Sequence, residues 1–138
     1  MALVLDTGPL YASLDRRDAD HDACRRLLLA ADEPLVIPAP VLVELDQLLS
    51  RRSATSVFPG VLRDIVAGLF AVLSLETEDY IRVEEICTQY ADTPIGFVDA
   101  AVLAIVERLN EPKLATLDRR HFGMMRPRHV GALRLLPE

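Results

Sequence analysis

The opening of the chain constrains its fold more than any other stretch. Leu3-Val4-Leu5 is a short β-prone apolar run that stops at Asp6 and passes into Thr7-Gly8-Pro9. Runs of this kind, bounded by Gly and Pro, suit a strand buried on both faces. Asp6 then stands at the carboxyl end of a core strand. Ligands of open α/β sheets bind in the crevice outside those ends, so an acid there is placed for chemistry or for a cation. The same residues also suit a helix start, with Asp6 or Thr7 as the cap and Pro9 in the first turn. Both readings stay open at this point.

The rest of the chain alternates between the two periodicities. A short helix is expected over 9–14, a charged connection over 15–22 and a helix over 23–31, followed by a strand over 35–37 that Pro38 closes. A strong amphipathic helix follows over 40–52, a polar break over 53–56 and a further helix over 57–68. The pattern then predicts a strand over 69–75, a helix over 77–90, a loop over 91–94 and an amphipathic helix over 95–109. Residues 113–117 form a fourth strand ending at Asp118, and 133–136 a short last one. Strands alternating with helices of this length imply parallel pairing through right-handed crossovers. With 138 residues, 51% of them hydrophobic, residues 1–138 are expected to form one α/β domain.

Charge and cysteine usage narrow the class. A net charge of −6 argues against indiscriminate nucleic-acid binding, yet Arg119, Arg120, His121, Arg126, Arg128, His129 and Arg134 follow one another with no acid among them. Such a run is either a solvated surface or a local phosphate-facing patch. Cys24 and Cys87 lack metal-ligand spacing and sit in helix-like apolar contexts, so both are expected to be reduced core thiols. No stretch resembles a signal sequence or a membrane span, and the expectation is a soluble cytoplasmic protein.

Four acids carry the chemistry. On a helix, the neighbours of Asp99 three and four residues away are Ile95, Gly96, Val102 and Leu103. A carboxylate inside such a stripe needs a partner, a hydrogen bond or a metal. Glu44 lies at the edge of the apolar face of its helix, where an exposed glutamate is the plain alternative. Asp118 ends a strand as Asp6 does, and also suits the N-cap of a turn through His121. Thr116, two residues earlier, points to the same face as Asp118 and can hydrogen-bond one of the acids, with an ordinary core threonine as the favoured alternative. Four acids gathered without cations would repel and raise one another's pKa values, a problem that a divalent metal removes. Carboxylate ligation favours Mg²⁺ or Mn²⁺, since the His and Cys clusters that zinc calls for are missing. Acid-rich sites of this type handle phosphate esters, which makes phosphodiester hydrolysis the leading chemistry.

Four motifs then carry a resemblance: Leu5-Asp6-Thr7, Pro38-Ala39-Pro40-Val41-Leu42-Val43-Glu44, Gly96-Phe97-Val98-Asp99-Ala100, and Ala115-Thr116-Leu117-Asp118-Arg119-Arg120-His121-Phe122. In order and spacing the sequence resembles a PIN domain, and closely resembles the VapC-type toxins of bacterial toxin–antitoxin pairs. The resemblance implies a three-layer α/β/α fold with a central parallel sheet of four to five strands, the first strand in its middle and the fourth beside it. It implies Mg²⁺- or Mn²⁺-dependent endoribonuclease activity, with Asp6, Glu44, Asp99 and Asp118 as metal-holding catalytic acids. It also implies an RNA substrate, a homodimer and a cognate VapB-type antitoxin whose C-terminal tail blocks the acidic site. Thr7, Thr116, Arg119 and Arg120 are the candidate substrate-positioning residues. Asp92 falls where some relatives carry another acid and is kept outside the core set. A receiver-like signalling domain fits less well, because the single lysine, Lys113, starts a strand instead of following one. A PIN-like module that only binds RNA or protein is the remaining alternative, although such modules are expected to have lost part of the acidic set.

Overall fold

The computed structural model describes every residue except Ser53. Among the described residues, five short strands, β1 (Leu3–Val4), β2 (Leu35–Pro38), β3 (Ala71–Leu73), β4 (Lys113–Ala115) and β5 (Arg134–Leu136), all pair in parallel. β1, β2 and β3 form one ladder in that order and β4 with β5 another. A parallel bridge between Leu5 and Ala115 joins the two. The Asp6 N–H reinforces the seam by donating to the Ala115 carbonyl at 2.9 Å. The spatial order is therefore β3-β2-β1-β4-β5, with the first strand central and the fourth beside it, as the resemblance implied.

Among the described residues, seven α-helices cover the sheet: α1 (Thr7–Leu14), α2 (His21–Ala30), α3 (Ala39–Arg51), α4 (Phe58–Val66), α5 (Thr77–Gln89), α6 (Phe97–Arg108) and α7 (Arg119–Met124). Right-handed crossovers put α1 to α4 on one face, where the strand order runs outward from β1 to β3, and α5 to α7 on the other. In keeping with this, α1 packs on α2 and α3, and α5 packs on α6. The direction of winding reverses between β1 and β4. That pair is the topological switch point, and both carboxyl ends finish there in an acid.

The buried helix is α6. Ala100 through Val106 are buried without interruption, a helix apolar all round that the small Ala100, Ala101 and Ala104 let approach its neighbours closely. It ends in a left-handed cap: Asn110, at φ 55°, donates from its N–H to the Glu107 carbonyl at 3.0 Å, and the Glu111 N–H reaches the Val106 carbonyl at 3.1 Å. Buried ion pairs tie α5 to α6. Arg82 grips Glu107 through two bonds of 2.7 and 3.1 Å, and Arg108 Nε reaches Asp79 Oδ2 at 3.0 Å. Lys113 holds Glu33 at 2.9 Å and Glu111 at 3.3 Å, and Glu111 also accepts from the Ala2 N–H at 2.6 Å.

Several boundaries differ from the sequence pattern. The first helix starts at Thr7, two residues before the expected Pro9, because Asp6 already takes the N-cap position. The helix expected from 57 begins with a turn of 3-10 helix over Thr55–Val57. Of the polar break expected over 53–56, Ser53 lies outside the described residues. The strand expected over 69–75 shrinks to Ala71–Leu73, since the turn through Gly68, at φ 86°, must still release the chain from α4. Cys24 is a buried free thiol as expected, but Cys87 is not a core thiol. The buried face of α5 runs through Asp79, Arg82, Val83 and Ile86, and Cys87 falls one step beyond it, exposed. Among the described residues, no helix is long and apolar enough to cross a membrane.

Candidate active site

An open cleft of about 560 Å³ lies at the carboxyl ends of β1 and β4, and Asp6, Glu44, Asp99 and Asp118 all line it. The four acids selected from the sequence thus meet, although they come from four separate elements. Asp6 follows β1 and is 5% exposed. It occupies the N-cap position of α1, yet its carboxylate makes no capping bond. Instead Oδ2 accepts from the Thr116 hydroxyl at 2.8 Å. The same hydroxyl accepts the Asp118 N–H at 3.0 Å, so one fully buried threonine aligns both strand-end acids.

Asp118 performs both roles open to it in the sequence. Its Oδ1 caps α7 by accepting the His121 N–H at 3.0 Å, and Oδ2 stays on the cleft side, 2.9 Å from His121 Nδ1. Asp99 sits in the first turn of α6, with Oδ2 3.1 Å from the same Nδ1. Helix packing behind Asp99 and the cleft before it leave the side chain 18% exposed. Glu44 is exposed on α3, as its plain alternative had it, and still faces the cleft.

The electrostatics follow from burial. Burial pushes Asp6 from 3.8 up to about 6; the hydrogen bond from Thr116 and the nearby Thr7 backbone pull it back, and the charges of Asp99 and Glu44 raise it again. Burial also raises Asp99, helped by the charge of Asp118 and opposed by His121. Among the described residues, Asp6 Oδ1 is buried with no hydrogen-bond partner. A carboxylate oxygen buried, unpaired and surrounded by further acids costs several kcal/mol on the order of an unmatched ion, unless a cation approaches it. The donor set is carboxylate oxygen with one imidazole nitrogen, and it fits a hard divalent cation.

The remaining candidates divide. Thr7 lines the cleft, and its Oγ1 is likewise buried without a partner. Thr116 lies behind the acids, where it meets Asp6 and Asp118. Arg119 donates to the Pro137 carbonyl, and neither Arg119 nor Arg120 is among the residues lining the cleft. Asp92 is exposed in the turn before α6 and is also outside the lining. The basic residue at the cleft is Arg51, with Gln47 beside it, both on α3. Their signal was the helical spacing Glu44, Gln47, Arg51, which puts all three on one face. His121 was passed over because the histidines are scattered along the chain. Its signal was its place three residues after a capping acid.

The family model of the PIN domain matches residues 3–124. The chain belongs to the PIN-domain family. This PIN domain is 30% identical over 135 residues to Ribonuclease VapC26 of Mycobacterium tuberculosis (strain ATCC 25618 / H37Rv), an alignment covering 98% of this chain and 100% of that protein. It is a PIN domain of the VapC type. Among solved structures it is similar to Mycobacterium tuberculosis VapC20, described as a Sarcin-Ricin loop cleaving toxin, with a TM-score of 0.74 and 20% identity over 83% of this chain and 87% of that one. VapBC2 from Rickettsia felis, bound to a DNA fragment from its promoter, has a TM-score of 0.71 and 17% identity over 98% and 97% of the two chains. These two likenesses show the shared PIN fold.

Proposed function

We propose that this PIN domain is the toxin of a toxin–antitoxin pair, a Mg²⁺- or Mn²⁺-dependent endoribonuclease that hydrolyses RNA phosphodiester bonds. The observation that carries this is the buried, unpaired Oδ1 of Asp6, a residue that lines a cleft three further acids share. Asp6, Asp99 and Asp118 would hold the cation, with Glu44 at the exposed edge as a further ligand or an orienter of the attacking water. A bound divalent cation supplies Lewis acidity and a water that ionises near neutral pH.

The chain's own residues do the rest. Thr116 fixes Asp6 and Asp118 against each other, so that their oxygens need little reorganisation when charge develops on phosphorus. Arg51 offers a permanent cation at the cleft wall, suited to a phosphate oxygen next to the scissile one. Gln47 can hydrogen-bond sugar or phosphate without adding charge, and Thr7 lies deeper, with its hydroxyl buried beside Asp6. Arg119 and Arg120 lie outside the lining and suit phosphates farther along the strand. The relatives' names support a VapB-type antitoxin as partner, and a homodimer follows from the family resemblance.

The test is cleavage of total cellular RNA by the antitoxin-free protein in Mg²⁺, Mn²⁺ or EDTA, with Asp99→Asn alongside. Discrete metal-dependent products that fall by about 10²-fold or more in the variant are expected. Equal cleavage by Asp99→Asn would refute this site. Cation and RNA binding without cleavage would favour the binding module.

A further inference from the structure

Beyond the four acids, the cleft holds a nitrogen donor. His121 Nδ1 lies 2.9 Å from Asp118 Oδ2 and 3.1 Å from Asp99 Oδ2. The ligand atoms offered by these three residues all lie within 4.8 Å of one another. We propose that His121 completes, with Asp99 and Asp118, a mixed nitrogen–oxygen cation site that makes this PIN domain prefer Mn²⁺ to Mg²⁺. The inference rests on the reading that a divalent cation occupies the acidic cleft, and adds to it a ligand and a selectivity.

Three observations support it. The first is spacing. An octahedral ion with bonds of about 2.1 Å sets neighbouring ligand atoms about 3.0 Å apart, close to the distances from Nδ1 to the two carboxylates. The second is independent of His121: Asp6 is 5% exposed, lines the same cleft and keeps an unpartnered Oδ1, so the negative side of the site already lacks a positive counterpart. The third is placement. His121 sits in the α7 turn that Asp118 caps, and the cap holds the His121 backbone N–H while the ring stays at the cleft between Asp99 and Asp118. Without a cation, Nδ1 lies between the two carboxylates. With one, the neutral ring would carry its single proton on Nε2 and offer the Nδ1 lone pair.

Selectivity follows from ligand chemistry. Mg²⁺ demands oxygen and holds its waters tightly, whereas Mn²⁺, although the weakest nitrogen binder of the divalent transition metals, keeps an oxygen preference and still accepts an imidazole more readily than Mg²⁺ does. One nitrogen ligand in place of water therefore moves the preference towards Mn²⁺ without altering the three acids.

The experiment is pulsed electron paramagnetic resonance of the full chain loaded with Mn²⁺, combined with calorimetric titration of Mn²⁺ and Mg²⁺. The wild type should show the coupling of a directly bound imidazole nitrogen, and His121→Gln should lose it. Mn²⁺ affinity should fall about tenfold or more in His121→Gln, with Mg²⁺ affinity changing less than about threefold. His121→Asn serves as a second variant, and circular dichroism establishes that both are folded. Mn²⁺ bound with equal affinity and without nitrogen coupling in wild type and variant would overturn the role of His121 and leave the acidic cation site standing. Failure of the wild type to bind either ion would overturn both.

Discussion

Replacing Asp6 by asparagine should make the metal-free protein more stable at neutral pH, although it removes a central acid. The carboxyl of Asp6 is raised from 3.8 to about 6, chiefly by burial. The folded chain therefore binds this proton more tightly than the unfolded chain does. Its contribution to stability is fully present below about pH 4, is lost as pH rises towards 6 and stays lost above. At ~1.36 kcal/mol per pH unit, the full loss is about 3 kcal/mol. Unfolding entropy of ~2.1 cal/mol/K per residue over this length converts that to about 10 °C in melting temperature. Asparagine keeps the shape and an oxygen to accept the Thr116 hydroxyl, and has no charge to bury. In EDTA, Asp6→Asn should melt about 10 °C above wild type at pH 7.5, and the difference should shrink towards zero near pH 4. The comparison cancels every group the two proteins share, including Asp99, whose raised carboxyl gives a slope of the same sign. Saturating Mn²⁺ or Mg²⁺ should stabilise wild type far more than the variant. A difference that is flat from pH 4 to 7.5, or a less stable variant at pH 7.5, would refute the argument from burial.

Thr116→Val strips Asp6 of its donor and the Asp118 N–H of its acceptor; urea titration should show a loss of about 1–3 kcal/mol, with weaker Mn²⁺ binding in parallel. Arg82→Ala leaves the buried Glu107 without its two-bond partner and should cost about 3–5 kcal/mol in the same assay, while cation affinity stays unchanged. Arg51→Ala should weaken RNA binding across sequences and lower the salt dependence of the binding constant by about one unit, measured by filter binding at several salt concentrations.

Asp6, Asp99 and Asp118 were legible in the sequence because each broke a local rule, whereas Glu44, exposed on α3, stood out only at the edge of an apolar face. Asp99 interrupts an apolar helical stripe, and Asp6 and Asp118 each end an apolar strand where a ladder would otherwise continue. Thr116 was readable from strand alternation, which puts it on the face of Asp118. What stayed hidden depends on contacts between distant elements. The orientation of His121 is set by α6 meeting α7, and the departure of Arg119 from the cleft is set by the final strand, whose Pro137 carbonyl it reaches. Cys87 differs from its expectation because the inward face of α5 is shared between Val83 and Ile86 and two ions paired across to α6, Asp79 with Arg108 and Arg82 with Glu107. A buried Arg–Glu pair of that kind leaves no periodic hydrophobic trace.

The bond between Thr116 and Asp6 spans 110 positions of the chain. During synthesis, a ribosome releases Asp6 first and must add nearly the whole protein before β4 can dock beside β1. Loop closure of that span comes late and demands the other elements already in place. A half-made chain therefore carries Asp6 and Glu44 without the partners that make a cleft of them. A chain still attached to the ribosome holds only part of the acid set, and the cleft is completed only once β4 has docked beside β1.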